Sequence, residues 1–365
     1  MATSLALGFA LSLASAFDPL APALAPALGP LAALTLALAL DLTLAEPPAR
    51  VHPVALFGSV VGRFDRSWSR PRLVGVAVAV GLPIGAAAVA GGLVVGVASV
   101  GASTLTVPVA AALLFTAVSL RMLLATTAEV VDLTETDPAA ARESVRALAG
   151  RDPTDLSPAD LRSAAVESAA ENLADGFVAP LSGFAVGATV GIAAGAAFGV
   201  GVDAPASALP LAAGVAGAAW VKAVNTLDSM LGYRSKPVGW ASARLDDAAM
   251  YLPARATAGC LAVAAGSLAA LRRGASWARE PGSPNSGWPM ATAAAALDAR
   301  LAKPDHYVLN PDARPPSADT GRAAVRLVGV AGGVAVALAA GWLAGVGWLL
   351  AAGWLPAPAG VVGWP

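Results

Sequence analysis

The sequence predicts an all-α polytopic membrane protein, with about five to seven transmembrane or re-entrant helices and polar helical loops on the cytoplasmic side. Of its 365 residues, 57% are apolar and only 13% are charged, whereas a soluble globular protein carries about 25% charged residues. The apolar residues form long uncharged blocks, which is typical of membrane helices. Small residues crowd these blocks and favour close helix packing in lipid. We therefore expect residues 1–365 to form a single integral membrane domain.

Five uncharged blocks approach the length of about 20 residues that crosses a hydrocarbon core of about 30 Å. They are Leu31–Leu40 with the Ala/Pro/Leu-rich residues before it, Leu73–Val100, Leu105–Leu120, Phe177–Val202 and Leu327–Leu355. A sixth block, Pro205–Val221, is shorter but apolar throughout, and we expect it to cross as well. Met1–Phe17 is also apolar, but no Lys or Arg precedes Arg50. The positive region of a signal peptide is therefore missing, and we interpret this segment as part of the first membrane helix or a nearby hairpin.

The arginines predict the orientation of the chain. Five of them lie in the loop Glu46–Arg72, which by the positive-inside rule faces the cytoplasm. Successive pairs of crossings then return the later polar segments to the same side. If the short block Ala256–Leu271 also crossed, the basic residues after it would be external, so a re-entrant or surface-lying helix fits better. We expect the polar segments 126–176, 222–255 and 272–326 to lie on the cytoplasmic side and to form the site.

The composition also excludes several classes of function. The formal net charge is -1, so no basic excess is available to hold a nucleic acid backbone, and we expect no nucleic-acid partner. The single cysteine, Cys260, excludes an internal disulfide and any zinc site built from cysteines. We find none of the common phosphate-loop, dinucleotide, zinc-protease or nucleophile-elbow motifs. Any ATP chemistry would therefore use a site without a common motif.

Three acids lie at helical spacing in the segment 166–176. In a continuous helix, Glu167, Glu171 and Asp175 fall on one face. Carboxylates on one stripe repel each other unless a cation, an arginine or a proton lies among them. This pattern suggests Mg²⁺ coordination by Glu171 and Asp175; a solvated helix face is the alternative.

A second polar group follows the sixth apolar block. Lys222, Asn225 and Ser229 share one helical face, with Asp228 beside them. A lysine at this place could pair with a carboxylate of the first group or bind a phosphate. Alternatively, it could extend its ammonium group to the membrane interface.

Two further groups complete the candidates. In the segment 242–255, the adjacent acids Asp246 and Asp247 point about 100° apart on a helix, and Arg244 could pair with Asp247 three residues on. Arg255, just before an apolar run, could be an interfacial anchor or a phosphate clamp. The loop 283–289, which contains Asn285, is dense in turn-forming residues and could cap a helix or cradle an anion.

These groups carry a resemblance to a known family, the CobD/CbiB cobalamin biosynthesis proteins, or adenosylcobinamide-phosphate synthases. The matching stretches follow the family's order: VESAAENLADGFVAPL (166–181), KAVNTLDSMLGYRSKP (222–237), SARLDDAAMYLPAR (242–255) and SPNSGWPMA (283–291), with weaker matches at 41–64 and 303–310. The chain departs from the family pattern at Glu46, where the family has Asp, and at Met250, where it has Asn. The link between Arg234 and Ser242 also looks shortened. These departures bear on local geometry and not on the assignment.

The resemblance implies ATP-dependent formation of an amide between adenosylcobyric acid and (R)-1-aminopropan-2-ol or its O-phosphate, which gives adenosylcobinamide or its phosphate. A corrinoid would thus be a substrate, ATP with Mg²⁺ the cosubstrate, and no prosthetic group is expected. On this basis we expect catalytic carboxylates at Glu167, Glu171, Asp228, Asp246 and Asp247, with Mg²⁺ at Glu171 and Asp175. We expect substrate-binding roles for Asn172, Lys222, Asn225, Arg234, Arg244, Arg255, Asn285 and His52; on residue type alone, the histidine beside a proline is more often structural.

Two other functions remain open from the residues alone. A transporter of a small anionic or corrinoid solute would also carry polar residues in an apolar chain, but near the bilayer midplane. Here the charges gather at the ends of the apolar segments on one predicted side, which favours an enzyme at the cytoplasmic face of the cell membrane. A structural subunit would use the same polar residues as interhelical contacts. Other corrinoid-assembly enzymes are possible partners beside the lipid bilayer, and the sequence does not define an oligomer.

Overall fold

A computed structural model describes residues 20–44, 46–146, 154–197 and 208–352 of the chain. Across these ranges helices dominate, as predicted for an all-α polytopic membrane protein. Five helical spans are long and apolar enough to cross a membrane. They are Leu24–Thr43, Pro71–Ser99, Ser103–Thr136, Pro158–Ala197 and Ala318–Ala351. The predicted N-terminal segment Met1–Phe17 lies outside the described residues, as do the ends of three predicted blocks: 198–202, 205–207 and 353–355.

The first part of the chain builds two of the long spans and most of a third. Its helices are α1 (Leu20–Thr43), α2 (Pro53–Val61), α3 (Pro71–Ser99), α4 (Thr106–Phe115), α5 (Leu120–Thr136) and α6 (Pro138–Val145). The predicted block Leu105–Leu120 is not one continuous helix, because α4 ends at Phe115 and α5 begins at Leu120. At this break the Ser119 backbone N–H donates to the carbonyl of Gly176, and buried Asp41 accepts from the backbone N–H of Arg121. Tertiary partners thus satisfy the backbone groups that the break releases.

The second part of the chain carries most of the candidate residues. Its helices are α7 (Pro158–Leu173), α8 (Ala179–Ala197), α9 (Leu209–Leu231), α10 (Trp240–Ala249), α11 (Tyr251–Ala264), α12 (Leu268–Ala275), α13 (Gly287–Ala296) and α14 (Ala318–Ala351). Between α7 and α8 the chain continues through a π-helical turn, Ala174–Val178. A π-turn adds one residue to the helical repeat and often marks a functional site. The π-turn therefore alters the regular α-helical spacing assumed for Glu167, Glu171 and Asp175, although Asp175 remains close to Glu171.

Helix α9 packs between α3 and α8 and runs well past the predicted apolar block. The sequence placed the end of this block at Val221, but the helix continues to Leu231 and includes the second polar group. It is not among the five candidate spans, since Lys222, Asn225 and Asp228 lower its hydropathy. The polar residues therefore lie on a helix held inside the bundle.

The block Ala256–Leu271 does not form one continuous helix long enough to cross, which is consistent with the prediction of a re-entrant or surface-lying helix. It contains most of α11 and the first half of α12, with a break at Gly266, which has a φ of +61°. At 14 and 8 residues, both helices are shorter than the about 20 residues that a crossing needs. Helix α11 packs against α13 and α14 instead.

A short β-hairpin was not predicted from the sequence. Strands β1 (Leu301–Lys303) and β2 (Tyr307–Leu309) pair antiparallel, with Leu301 opposite Leu309. Both leucines are fully buried. The turn contains Asp305 with a φ of +60°, a conformation in which Asp is more common than most residues. The Ser163 hydroxyl of α7 accepts from the Ala302 backbone N–H at 2.7 Å, which fixes the hairpin on α7.

Glycines permit the close approach of α8 and α9. A methyl group at Gly187 would overlap the backbone carbonyl of Ala213, and one at Gly217 would overlap the carbonyl of Gly183. Small residues at such a crossing let two backbones approach closely. The position of α9, and of the polar residues at its end, depends on this contact.

Gly187→Ala should therefore destabilise the protein. We expect a loss of about 1–3 kcal/mol, because an added methyl group at a filled contact forces backbone shifts. Gly195→Ala in the same helix is the matched control, since open space surrounds Gly195; it should be neutral or stabilising because alanine favours helix. Thermal unfolding of the purified protein in detergent compares the two. Equal midpoints would contradict the close crossing.

Candidate active site

Seven polar residues from three segments meet next to the π-turn. They are Glu171 at the end of α7, Asp175 in the π-turn, Lys222, Asn225 and Asp228 on α9, and Asp246 and Asp247 on α10. We call these residues the polar cluster. Helix α8 separates the first segment from α9 in the sequence, so the fold brings together three of the groups that the sequence singled out.

Asn225 lies at the centre of the polar cluster. Its side-chain amide lies beside the carboxylates of both Asp175 and Asp246 and favours their charged forms. The ammonium of Lys222, which is half-buried, interacts with the carboxylates of Asp175 and Glu46. This attraction favours the pairing of Lys222 with the first acidic group, one of the alternatives left open by the sequence.

The electrostatics of the polar cluster disfavour full ionisation of its acids. Burial raises the pKa of Asp246 to about 8, with smaller contributions from Asp175, Asp228 and Asp247, whereas the hydrogen bond from Asn225 opposes the shift. Burial, followed by the charge of Asp247, also raises the pKa of Asp228. The buried Oδ1 of Asp246 accepts no hydrogen bond. Such an atom is costly to bury, and a cationic ligand or a proton would satisfy it.

The third and fourth sequence groups are joined through Asn285. Its Oδ1 accepts from Arg255 Nη1 at 2.9 Å, and its Nδ2 donates to the backbone carbonyl of Asp247 at 2.8 Å. The Arg255 guanidinium stacks over the Tyr251 ring at 3.6 Å from the ring centroid. Arg255 and Asn285 thus hold the end of α10, and with it Asp247, in place.

Glu167 occupies a different environment from the polar cluster. It is 1% exposed, and its carboxylate accepts from the hydroxyls of Ser163 and Tyr307, each at 2.8 Å. It thereby joins α7 to the β-hairpin. A catalytic role for Glu167 stays a prediction, but the contacts described here are those of a positioning residue.

The remaining predicted residues have local partners or lie at the surface. Asn172 donates to the backbone carbonyl and the hydroxyl of Ser168. Arg244 and Asp247 form the expected pair at 3.5 Å, with Arg244 largely exposed. His52 accepts from the Val54 backbone N–H at the start of α2, and its Nε2 lies 3.8 Å from Glu46. Arg234 is exposed in the turn after α9.

The sequence analysis did not assign a role to Glu46 or Tyr307. Glu46 interacts with Lys222 and lies within ion-pair distance of His52. The sequence signal for a role of Glu46 was its position in the 41–64 stretch, where it replaces an Asp of the family pattern. Tyr307 lies in the 303–310 stretch, but the hairpin that brings it to Glu167 was not predicted.

The donor set of the polar cluster is compatible with Mg²⁺ bound together with a phosphate ligand. Within the described ranges, no group of three or more His, Cys, Asp or Glu residues is arranged to hold a metal ion by itself. Mg²⁺ usually retains several waters and binds through one or two carboxylates plus substrate phosphates. The carboxylates here, and the unpartnered Oδ1 of Asp246, fit that mode rather than a closed protein site.

Comparison with known proteins identifies the family. The model of the CobD/CbiB protein family matches residues 34–331. A probable cobalamin biosynthesis protein CobD from Methanothrix thermoacetophila is 34% identical over 82% of this chain and 92% of its own length. The CobD proteins of Mycobacterium tuberculosis and Dehalococcoides mccartyi are 38% and 32% identical, over 71% and 82% of this chain and 77% and 93% of their own lengths. No solved structure matches. The chain belongs to the CobD/CbiB family of cobalamin biosynthesis proteins.

Proposed function

We propose that this protein joins adenosylcobyric acid to (R)-1-aminopropan-2-ol or its O-phosphate in an ATP-dependent amide synthesis. The observation that carries the proposal is the polar cluster, which combines five carboxylates with one lysine and the Asn225 amide. An excess of buried carboxylates favours cations. The ammonium group of the amine substrate supplies one positive charge, and Mg²⁺ accompanying ATP supplies two more.

The reaction requires activation because an amide does not form readily from a carboxylate and an amine in water. In the proposed sequence, a corrinoid carboxylate oxygen attacks the γ-phosphorus of ATP, and ADP leaves. The bound ammonium group then gives one proton to a carboxylate of the polar cluster, the free amine nitrogen attacks the acyl carbon, and its second proton leaves with the inorganic phosphate. Bound Mg²⁺ would neutralise charge on the phosphate oxygens, with Glu171 and Asp175 as its protein ligands.

The residues of the polar cluster fit distinct tasks in this sequence. A carboxyl with a pKa of about 8, as for Asp246, is suited to accept the proton that the attacking amine releases. The ammonium of Lys222 is placed to bind a phosphate oxygen as a point charge. Asn225 holds Asp175 and Asp246 in fixed orientation and thereby positions both.

The location of the reaction follows from the distribution of charge. The arginine-rich loop after α1 and the polar segments 126–176, 222–255 and 272–326 contain most basic residues of the chain. By the positive-inside rule, we assign these segments to the cytoplasmic side of the cell membrane, where ATP is available. Arg255 and Asn285 lie on the same side and are candidates for contact with the corrinoid amides.

Asp246→Asn and Glu171→Gln should abolish amide formation. We expect kcat to fall at least about 100-fold in each variant, since a positioned general base or charge-binding group contributes about 10²–10⁴-fold. The assay uses the purified protein with adenosylcobyric acid, ATP-Mg²⁺ and aminopropanol phosphate, and detects the amide product.

Asp298→Asn is the matched control for these two variants. Asp298 is a mostly exposed acid that pairs with Arg273, and its positive φ of +46° is one that Asn adopts easily. It should retain wild-type activity. Transport of a labelled substrate by the wild type without any amide product would contradict the proposal.

Asp246→Asn should also change how stability depends on pH. Because the pKa of Asp246 is raised from 3.8 to about 8, the folded protein keeps this proton over a range in which the unfolded chain releases it. The group therefore lowers the free energy of unfolding progressively between about pH 4 and pH 8. The asparagine variant does not lose stability in this way. Its melting temperature should therefore rise relative to that of the wild type as pH increases through that range.

Thermal unfolding at several pH values between 5 and 8.5, without Mg²⁺ or nucleotide, measures this difference. Asp298→Asn again serves as the control and should follow the wild type. If the Asp246→Asn and wild-type profiles stay parallel, Asp246 is ionised in the folded protein throughout the range, contrary to the environment described above.

A further inference from the structure

Two segments that are far apart in the sequence form one basic surface beside the start of α3. They are the segment 62–72, which leads into α3, and the segment 233–240, at the junction of α9 and α10. Lys236 of the second segment pairs with Asp65 of the first at 2.8 Å. We call the outer face of these two segments the basic surface. Its cations are Arg63, Arg66, Arg70, Arg72, Arg234 and Lys236.

The basic surface carries much positive charge for a chain whose formal net charge is -1. Asp65 is the only acid in the two segments, against six cations. The five arginines are exposed, and among the residues that the structure describes none of them forms a salt bridge. A group of exposed cations without counter-ions attracts an anionic partner.

Aromatic rings alternate with these cations. The Arg66 guanidinium lies 4.1 Å from the centroid of the Trp68 ring, and that of Arg72 lies 5.9 Å from the Trp240 ring. Trp240 and the neighbouring Tyr233 are exposed. Trp and Tyr are enriched where a membrane protein meets the headgroup region of the bilayer. The rings therefore indicate a surface that contacts the membrane interface.

The position of the basic surface identifies its partner. The candidate membrane span Pro71–Ser99 begins between Arg70 and Arg72. Leu73 and Val76, in the first turns of this span, are exposed apolar residues, as expected for a helix that faces lipid. Basic residues immediately next to such a helix lie within reach of phospholipid headgroups. A lipid headgroup is therefore the anion that this surface meets first.

The segment 233–240 also connects the basic surface to the polar cluster. It joins α9, which carries Asp228 one turn before its end, to α10, which carries Asp246. Besides pairing with Asp65, Lys236 donates to the backbone carbonyl of Met230 at 2.9 Å and so holds the end of α9. A ligand that fixes this segment thereby restrains the helices on which two of the acids lie.

We infer that the basic surface binds the headgroups of anionic phospholipids, and that this binding holds the junction of α9 and α10 at the membrane surface. The binding needs only the charge and the position of the surface, so it goes beyond the proposed reaction and does not depend on it.

Native mass spectrometry of the full-length protein in nonionic detergent, titrated with dioleoylphosphatidylglycerol, tests this inference. Dioleoylphosphatidylcholine, which has no net charge, should bind more weakly to the wild type. The triple variant Arg63→Gln/Arg66→Gln/Arg70→Gln should raise the Kd for phosphatidylglycerol by about 100-fold, since each basic residue near an anionic lipid surface is worth about fivefold in affinity. Its Kd for phosphatidylcholine should not change.

Two further triple variants make the test specific. Arg272→Gln/Arg279→Gln/Arg314→Gln is the matched control, because these arginines are also exposed and form no salt bridge in the part of the chain that the structure describes. It should bind phosphatidylglycerol as the wild type does. Lysine at positions 63, 66 and 70 keeps the charge and should retain binding.

Several results would overturn the inference. One is equal affinity of the wild type for the two lipids, and another is unchanged phosphatidylglycerol affinity in the folded triple glutamine variant, as judged by its melting temperature without added lipid. An equal loss in the control variant would assign the lipid to no particular surface. Competition by glycerol 3-phosphate at concentrations equal to those of the lipid would identify a site for a free phosphate instead. If the triple variant does not fold, Arg63→Gln and Arg70→Gln alone should each weaken binding about fivefold, and wild-type affinity in both rejects the surface.

Discussion

The Asn225 amide, which lies beside the carboxylates of Asp175 and Asp246, determines how the polar cluster is assembled. These residues come from the π-turn, α9 and α10; α8 separates the π-turn from α9 in the sequence, whereas α9 and α10 are consecutive helices. Without a donor between them, the acidic side chains would repel each other in a partly buried site. The neutral amide reduces this repulsion without adding a charge that would compete with a cationic ligand. The close approach of α8 and α9 at Gly187 and Gly217 then brings Asn225 within reach.

The sequence predicted the architecture well because the constraint involved is simple. A helix that crosses lipid needs a long uncharged run, and the predicted blocks near α1, α3, α8 and α14 correspond to described helices. Prediction failed where tertiary contacts override local pattern. Backbone N–H groups next to the break after Phe115 donate to Gly176 and Asp41, which lie far away in sequence. The same holds for the hairpin, whose strands are short and fixed by Ser163 and by buried leucines.

The candidate site was predicted in its parts but not in its arrangement. Charged and amide residues in an apolar chain stand out, so Lys222, Asp228, Asp246 and Asp247 were identified without a structure. Helical periodicity grouped Glu167 with Glu171 and Asp175. In the structure, however, Glu167 accepts hydrogen bonds from Ser163 and Tyr307. A π-turn has no reliable sequence signature, so the register change at Asp175 could not be predicted. The electrostatic interaction between Lys222 and Glu46 likewise depends on tertiary packing and could not be predicted.

The cost of the buried acids is itself an argument for function. A stable membrane bundle has no need for several carboxylates clustered with one lysine, since burying an acid whose Oδ1 lacks a partner, as in Asp246, opposes folding. Arg255 and Asn285 hold the end of α10 by hydrogen bonds and ring stacking, which keeps Asp247 near Asp228 despite their like charges. Contacts that preserve an unfavourable arrangement are typical of a site prepared for a ligand. In this bundle a cationic ligand would supply positive charge that the protein itself does not.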